Sequence, residues 1–279
     1  MFSVPRIFVE RSAIMKTVSV VLPRGLPLVE LHTFADWHIG DERCNMASIE
    51  KQIAEVKGKE NAYAICNGDL MNNAVKTSVS DCYAERMPPA EQLELLCKLL
   101  EPIKEKVLFM TQGNHEARTY RDDGIDLTAF AAEKLGIYER YAKTGGVLFL
   151  RFGEQDRGRK ESNGSGEIRR VCYTLYITHG DGGGRKEGAK AIRLADMASI
   201  VDCDIYCHSH THLPLIMKQS FFRIDVRNDA VANVEKLFVN TAAHLDYGGY
   251  GQAKEFKPTS KTNPVIYLSG TRKEFTARL

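Results

Sequence analysis

Residues 107–119, VLFMTQGNHEART, join a short apolar run to a turn that carries an amide and an imidazole side by side. The apolar run 107–110 has the length and composition of a buried strand. Gly113 and Asn114 favour a turn, because Gly costs backbone entropy inside regular elements and Asn competes for backbone hydrogen bonds. We therefore expect Asn114 and His115 at the end of a strand, and ask whether other strands end in similar residues.

Strand-like and helix-like segments alternate on both sides of this stretch. Residues 28–36 and 61–69 are apolar-rich and end in an aspartate. Apolar residues recur at helical spacing in three segments, 46–59, 88–106 and 125–136. The alternation of strand and helix predicts an α/β domain with parallel strand pairing.

The second half of the chain is richer in strands. Its strand-like segments are 145–153, 169–180, 204–219, 236–243 and 264–270, and one helix is predicted over 186–201. The polar loop 154–168 is interpreted as a mobile hairpin tip. Residues 1–27 are interpreted as an extended lead-in with an edge strand near 17–22. No linker or repeat divides the chain, so we expect a single domain over residues 1–279.

Composition bounds the function classes. The chain of 279 residues is 43% hydrophobic and 27% charged, which is ordinary for a globular protein, and its formal charge of +2 does not by itself indicate a nucleic-acid partner. The seven cysteines are scattered and form no C-x-x-C pair, which favours reduced thiols and a cytoplasmic location. No apolar run approaches the ~18 residues of a membrane span, and we expect no membrane partner.

Acids, amides and histidines follow the predicted strands one after another. They are Asp36-x-His38, Gly68-Asp69, Asn114-His115, His179, and the run His208, His210, His212. Ligands of open α/β sheets collect at the carboxyl ends of strands, so these side chains should converge if the sheet is predicted correctly. Singly, each is better explained as a turn or a satisfied polar residue; the ordered set indicates a site.

The donor types suit divalent metals. Imidazole, carboxylate and amide oxygen without thiolate fit Mn, Fe, Ni or Zn better than a cysteine-type structural zinc site. Two ions ~3.5–4 Å apart bind a phosphoryl oxygen and generate a bound hydroxide at neutral pH, which supplies the nucleophile for in-line attack on phosphorus. We expect two divalent ions, with manganese preferred.

At this point the chain resembles the calcineurin-like metallophosphoesterases. The motifs D-x-H, G-D-x-x-N, G-N-H-E, a lone His after a strand and H-x-H occur in that order between residues 28 and 214. The resemblance implies a two-sheet β-sandwich flanked by helices, a four-layer α/β/β/α fold, with the metals at the carboxyl ends of the strands.

The resemblance also implies roles for individual residues. Asp36 and His38 would hold the first metal and Asp69 would bridge both. Asn114 and His179 would hold the second metal. His115 would lie near the leaving oxygen as a general acid or a transition-state stabiliser. Glu116 either orients His115 or merely follows it.

The last motif leaves two registers open, because no Gly precedes either pair. His208 with His210, and His210 with His212, both satisfy H-x-H. We favour His210 and His212, because the family often has G-H-T-H-x-P and Ser209 then occupies the Gly position. His210 would bind the second metal and His212 the first.

Residues next to the motifs are candidates for substrate contact. Arg118, Arg121 and Arg185 follow motif residues and are predicted phosphate contacts, although each is individually more typical of a solvated surface charge. Trp37, inside D-x-H, is expected to pack beside the site, with stacking on a base as the less favoured alternative.

The substrate class is the least defined feature. The Asp-Arg-Gly continuation of G-D that marks the Ser/Thr protein phosphatases is absent, since LMNNAVK follows Asp69, and the layout resembles compact phosphoesterases of phages and prophages. We favour a phosphodiesterase acting on nucleotide or nucleic-acid phosphates. The alternatives are a DNA nuclease of the double-strand-break-repair type and a non-catalytic binding scaffold with the same fold.

Overall fold

The computed structural model describes residues 6–10, 14–23, 25–153, 171–182, 184 and 186–279. The strands in these ranges are β1 (Arg6–Glu10), β2 (Lys16–Leu22), β3 (Val29–Phe34), β4 (Ala62–Asn67), β5 (Val107–Thr111), β6 (Tyr141–Ala142), β7 (Gly146–Phe152), β8 (Cys172–Ile177), β9 (Ile205–His208), β10 (Leu215–Asp225), β11 (Ala230–Asn240), β12 (Val265–Leu268) and β13 (Phe275–Arg278). The helices are α1 (Met46–Gly58), α2 (Pro89–Leu100), α3 (Ala117–Asp123), α4 (Leu127–Lys134), α5 (Glu187–Asp196) and α6 (Gly249–Ala253). Short 3-10 turns follow α2, precede β6 and follow α5.

These strands form two sheets. The six-stranded sheet has the order β13-β12-β3-β4-β5-β6, and the seven-stranded sheet has the order β1-β2-β7-β8-β9-β11-β10. Strands β3 to β6 run parallel, as the alternation of strands and helices predicts. Parallel strands place their carboxyl ends at one edge of a sheet, and residues 36, 69 and 114 follow three of them.

The two sheets pack face to face around one apolar layer. Leu31, Ile65 and Phe109 of the six-stranded sheet belong to the same buried cluster as Leu175 and Ile205 of the seven-stranded sheet. A second cluster joins the outer face of the six-stranded sheet to α1, α2 and α4, and a third joins α5 to the outer face of the other sheet. The predicted sandwich of two sheets flanked by helices is confirmed.

The N-terminal segment and the second sheet differ from the expectations. The strand predicted near residues 17–22 is present as β2, but it is not an edge strand, because β1 folds back antiparallel upon it and β7 pairs with its other side. Strands β10 and β11 form a long hairpin that the sequence pattern only partly indicates. Strand β11 lies between β9 and β10 and pairs in parallel with β9.

Some expectations are not tested by the described residues. The loop 154–168 and Arg185 lie outside them, and the single-domain prediction stays a prediction. All seven cysteines are free thiols. In the described part of the chain, no helix combines the length and the apolar character needed to cross a membrane.

Candidate metal centre

The predicted ligand residues lie together at the carboxyl ends of β3, β4, β5, β8 and β9. Asp36, His38 and Asp69 are almost completely buried, and so is His179. Asn114 and His212 are more open: Asn114 is exposed, and one third of the His212 side chain is exposed. The centre is therefore a recess with one accessible side, at the edge of the sheets where the topology places all five strand ends.

The backbone at the site is unusual. Among the described residues, most of the non-glycine residues with positive φ are predicted metal ligands: Asp36 (51°), His38 (49°), Asp69 (51°), His210 (64°) and His212 (54°). The left-handed region is rare for residues with a Cβ, and such residues cluster at functional sites where the surrounding structure maintains them. Each of these turns carries a side chain whose ligand atom belongs to the donor cluster.

Two glycines allow these turns to approach each other. A Cβ on Gly113 would lie 2.1 Å from Asp69 Oδ1, and a Cβ on Gly68 would lie 2.7 Å from the backbone of Gly113 and from His179 Nδ1. Gly68 also has a φ of +82°. The glycines of the G-D and G-N-H-E motifs are thus required because the turns after β4 and β5 are in close contact. This contact places Asp69 against the turn that follows β5.

The first group of donors contains Asp36, His38 and His212. Their ligand atoms lie within 4.8 Å of one another. His38 Nε2 is 3.2 Å from His212 Nε2, and His212 Nε2 is 3.4 Å from Asp36 Oδ1. His38 Nδ1 is buried and has no hydrogen-bond partner. This group corresponds to the first predicted metal position.

The second group contains Asp69, His179 and His210, again within 4.8 Å of one another. Asn114 joins it, because its Oδ1 lies 3.1 Å from His179 Nε2 and 2.7 Å from His210 Nδ1. The group corresponds to the second predicted metal position. Its amide donor and its imidazole donors come from the ends of different strands, as the sequence predicts.

A third group links the first two. His38, Asp69 and His115 also have ligand atoms within 4.8 Å of one another. His115 Nε2 is 3.8 Å from Asp69 Oδ2, while its Nδ1 lies 2.8 Å from the carbonyl oxygen of Asn72. The donors therefore form one continuous cluster, with Asp69 and His38 in its middle.

The electrostatics of the cluster are those of a cation site. Burial alone would raise the pKa of the Asp36 carboxyl, but the His212 imidazole beside it lowers that pKa to about 2. Burial alone would lower the pKa of His179, but the carboxylate of Asp69 at 3.1 Å raises it to about 10. Burial holds the pKa of His38 well below its usual range. The carboxylates are thus ionised and demand positive charge.

The hydrogen bonds of His179 make the same point. Its Nδ1 lies 2.8 Å from the carbonyl oxygen of Asn67, which only accepts, so Nδ1 carries a proton. With its pKa raised to about 10, the metal-free ring carries a second proton at Nε2, and only without that proton does Nε2 direct a lone pair at Asp69 Oδ2 and Asn114 Oδ1, both 3.1 Å away. Lone pairs that converge in this way need a cation between them, and a ring nitrogen fixed by a backbone carbonyl is typical of metal-binding histidines. The residues fit a divalent ion.

His208 lies outside these groups. Its Nδ1 is 2.7 Å from Asn240 Oδ1, and its ring packs against Gly180. His210 and His212 are the members of the run that lie with the other donors. The structure therefore supports the favoured register, although the ligand roles themselves stay predictions.

The residues proposed for substrate contact have other partners. Arg118 is buried, and its Nη1 donates to the carbonyl oxygens of Asn72 and Asn73 at 3.0 and 3.5 Å. Arg121 is largely exposed and pairs with Asp122 at 3.2 Å. These contacts give Arg118 a place in holding the loop after β4, and its predicted phosphate contact is not tested by them.

Trp37 belongs to the core rather than to the substrate surface. It is fully buried, packs against Phe34 with ring centroids 5.1 Å apart, and donates from Nε1 to Gln52 Oε1 at 3.3 Å. Because no face of the indole is exposed, stacking on a base is excluded in this arrangement.

Two polar residues of the site were not assigned a ligand or catalytic role from the sequence. Asn67 orients His179 through its carbonyl oxygen and donates from Nδ2 to Ser209 Oγ at 2.7 Å. The Glu116 carboxylate accepts from the backbone N–H groups of Asp69, Met71 and Gly113 at 2.9–3.0 Å. Glu116 thus ties the turns after β4 and β5 together. An Asn at the end of the apolar strand β4 was the sequence signal for Asn67.

The fold and the donor clusters together define a divalent-metal phosphoesterase in general. A model of the calcineurin-like phosphoesterases matches residues 32–214, which is more than half of the chain. The protein belongs to the calcineurin-like phosphoesterase family. Family membership implies a phosphoester substrate and leaves its kind open.

Comparison with curated proteins gave no significant match. Among solved structures, the chain is similar to a predicted phosphoesterase of Streptococcus pneumoniae, at 11% identity and a TM-score of 0.34 over 90% of this chain and 98% of that one. It is also similar to GAP50, the anchor in the inner membrane complex of Plasmodium (10% identity, TM-score 0.37, 87% and 81% covered). A third similar structure is a single mutant of Vps29 from Entamoeba histolytica (11% identity, TM-score 0.31, 90% of this chain and 100% of that one covered). Likeness at this distance adds nothing to the family assignment.

Proposed function

We propose that the protein is a phosphodiesterase that uses two divalent ions, preferably manganese, to hydrolyse nucleotide or nucleic-acid phosphates. The observation that supports two ions is the continuity of the donor cluster: the group of His38, Asp69 and His115 shares His38 with the first group and Asp69 with the second. One carboxylate between two sets of donors is the arrangement that a pair of cations requires.

The residues divide between the two positions. Asp36, His38 and His212 would hold one ion, and Asn114, His179 and His210 would hold the other. Asp69 lies between them and would contact both. Bound cations supply charge stabilisation at the phosphoryl oxygens and a nucleophile at neutral pH.

His115 is the proposed proton donor to the leaving oxygen. Its Nδ1 is fixed by the carbonyl oxygen of Asn72, so Nε2 is the atom that faces the cluster. Burial lowers the pKa of His115 to about 4, so the imidazole is neutral in the substrate-free protein at neutral pH. For His115 to act as an acid, the negative charge of the bound phosphoester must raise this pKa.

A catalytic role is supported over that of a scaffold by the completeness of the cluster. Every donor that the family motifs predict is present, and the buried donors are oriented by hydrogen bonds from neighbouring elements. The cytoplasmic location stays a prediction from the free cysteines.

The test is hydrolysis by metal-stripped protein refilled with Mn²⁺, with bis(p-nitrophenyl) phosphate and p-nitrophenyl phosphate as substrates. The Asp69→Asn variant should lose activity. Asp225→Asn is the matched control, because Asp225 lies at the distal end of β10 and caps an exposed turn. Manganese-dependent cleavage of the diester that Asp225→Asn retains and Asp69→Asn loses would support the proposal.

The other outcomes separate the alternatives. A preference for the monoester would identify a small phosphatase instead. Cleavage of DNA with a steep salt dependence would identify the nuclease, because contacts to many phosphates release counterions. Folded protein that is inactive with every metal would overturn the proposed activity and leave the scaffold.

A further inference from the structure

Two buried polar residues at the carboxyl end of β11, Asn240 and Thr241, belong to none of the motifs. Both are almost completely buried, and both lie beyond residues 32–214, the part that matches the family model. Asn240 is opposite His208 in the parallel pairing of β11 with β9, and the Thr241 N–H donates to the His208 carbonyl at 3.1 Å. The end of β11 is therefore next to the turn that carries His210 and His212.

Thr241 contacts the carboxylate of Asp36 directly. Its Oγ1 donates to Asp36 Oδ2 at 2.8 Å, while the other oxygen, Oδ1, faces His212 Nε2 at 3.4 Å. The His210 N–H reaches both oxygens, at 3.2 and 3.3 Å, so the Thr241 hydroxyl and the His212 imidazole are the partners that distinguish them. A hydroxyl bond to one oxygen fixes the rotation of the carboxylate, and this keeps the second oxygen directed at the donors of the first group.

Asn240 braces the histidine turn from the same side. Its Oδ1 accepts from His208 Nδ1 at 2.7 Å, and its Nδ2 donates to Thr211 Oγ1 and to the Leu213 carbonyl at 2.9 and 2.6 Å. These bonds span the turn from before His210 to after His212. They restrain a segment in which both histidines have positive φ.

We propose that Thr241 and Asn240 are positioning residues for the metal held by Asp36, His38 and His212. The inference rests on the proposed metal centre and extends it to a strand outside the family-matched region. Thr241 orients Asp36, and Asn240 holds the turn that presents His212. Partners that orient metal ligands contribute about 10- to 100-fold to metal affinity.

The experiment measures Mn²⁺ binding to the metal-free protein by electron paramagnetic resonance of the free ion. Thr241→Val removes the hydroxyl and keeps the shape of the side chain, and Thr241→Ser restores the hydroxyl. Thr33→Val is the matched control, because the Thr33 hydroxyl is equally buried but donates to the Pro264 carbonyl at 3.0 Å, away from the cluster. Thermal unfolding of each metal-free variant verifies folding.

We expect Thr241→Val to weaken one class of Mn²⁺ sites about tenfold and to leave the other unchanged. Thr241→Ser should bind as the wild type does, and so should Thr33→Val, even where the two valine variants lose similar thermal stability. If Thr241→Val does not fold, Thr241→Ala removes the same donor without adding a methyl group and must show the same loss.

Three results would overturn the inference: unchanged binding by Thr241→Val, equal losses in Thr241→Val and Thr33→Val, or failure of Thr241→Ser to restore affinity. Wild-type protein that binds Mn²⁺ but cleaves no diester would refute the proposed phosphodiesterase and leave this test valid. Wild-type protein that binds no Mn²⁺ would overturn the metal centre and this inference together.

Discussion

Replacing His115 by Asn tests proton donation separately from metal binding. The Asn amide can take over the bond that His115 Nδ1 makes with the Asn72 carbonyl, now 2.8 Å long, but it has no atom at the position of Nε2. If Nε2 donates the proton, the effect of His115→Asn depends on how much the leaving group needs one.

The charge requirement can be worked out from the site. With a pKa of about 4, His115 is protonated at pH 7 in roughly one molecule in a thousand. For half of the molecules to be protonated at pH 7, the imidazolium form must be stabilised by about 4 kcal/mol. One phosphate charge about 4 Å from the ring supplies ~4 kcal/mol at an effective dielectric constant of about 20. Bound cations act in the opposite direction, so one full negative charge is the minimum that a substrate must bring.

The assay compares two diesters of thymidine 5′-phosphate, one with p-nitrophenol and one with a nucleoside hydroxyl as the leaving group. Nucleoside alkoxide needs the proton, and general acid catalysis contributes typically about 10²- to 10⁴-fold, so His115→Asn should lower kcat/KM for this substrate by that factor. The p-nitrophenyl ester should lose less than about tenfold. Equal losses on both esters, with manganese content unchanged, would refute proton donation by His115.

Two further predictions concern the other histidines. His212→Asn should lose about half of the Mn²⁺ that the wild type retains, whereas His208→Asn should retain it all; mass spectrometry of the dialysed proteins decides, and the reverse pattern would assign the motif to His208. His244 accepts from Asn263 at 2.8 Å and donates to Ser48 at 2.9 Å, and burial lowers its pKa to about 4 from an ordinary 6.5. Folding favours the neutral ring, so His244 contributes about 3 kcal/mol to the free energy of unfolding above pH 6.5. This contribution is lost as the pH falls to 4. The free energy of unfolding of metal-free His244→Asn, measured in urea, should lack this acid dependence. A pH profile equal to that of the wild type would contradict the prediction.

The donor positions could be predicted because each depends on local sequence. An apolar strand followed by Asp, Asn or His is recognisable without knowledge of the partners, and parallel pairing places such ends at one edge. Asp69 and Asn114 each sit beside a glycine, and the structure explains both glycines by contacts closer than a Cβ permits. The helices could be predicted for the same reason, since their apolar spacing is a property of short segments.

Side-chain exposure could not be predicted in the same way. Arg118 follows a motif as a substrate contact would, yet it is buried and bonded to the loop after β4, whereas Trp37 packs against the core as the favoured expectation had it. Their sequence neighbours do not show which elements pack on them. Strand β2 was misplaced at an edge because only the tertiary structure shows that β1 covers it.

The sequence by itself determined which donor atoms are available to a metal and which strand each donor residue follows, because both depend on residue type and local periodicity. The tertiary structure decided which donors meet. The convergence of His212 on Asp36 and His38, and the contact of Thr241 with Asp36 from 205 positions away, both depend on where strands distant in sequence pair. Long-range pairing is set by the burial of whole sheets and by the hairpin that places β11 beside β9, and no local pattern near residue 36 encodes it.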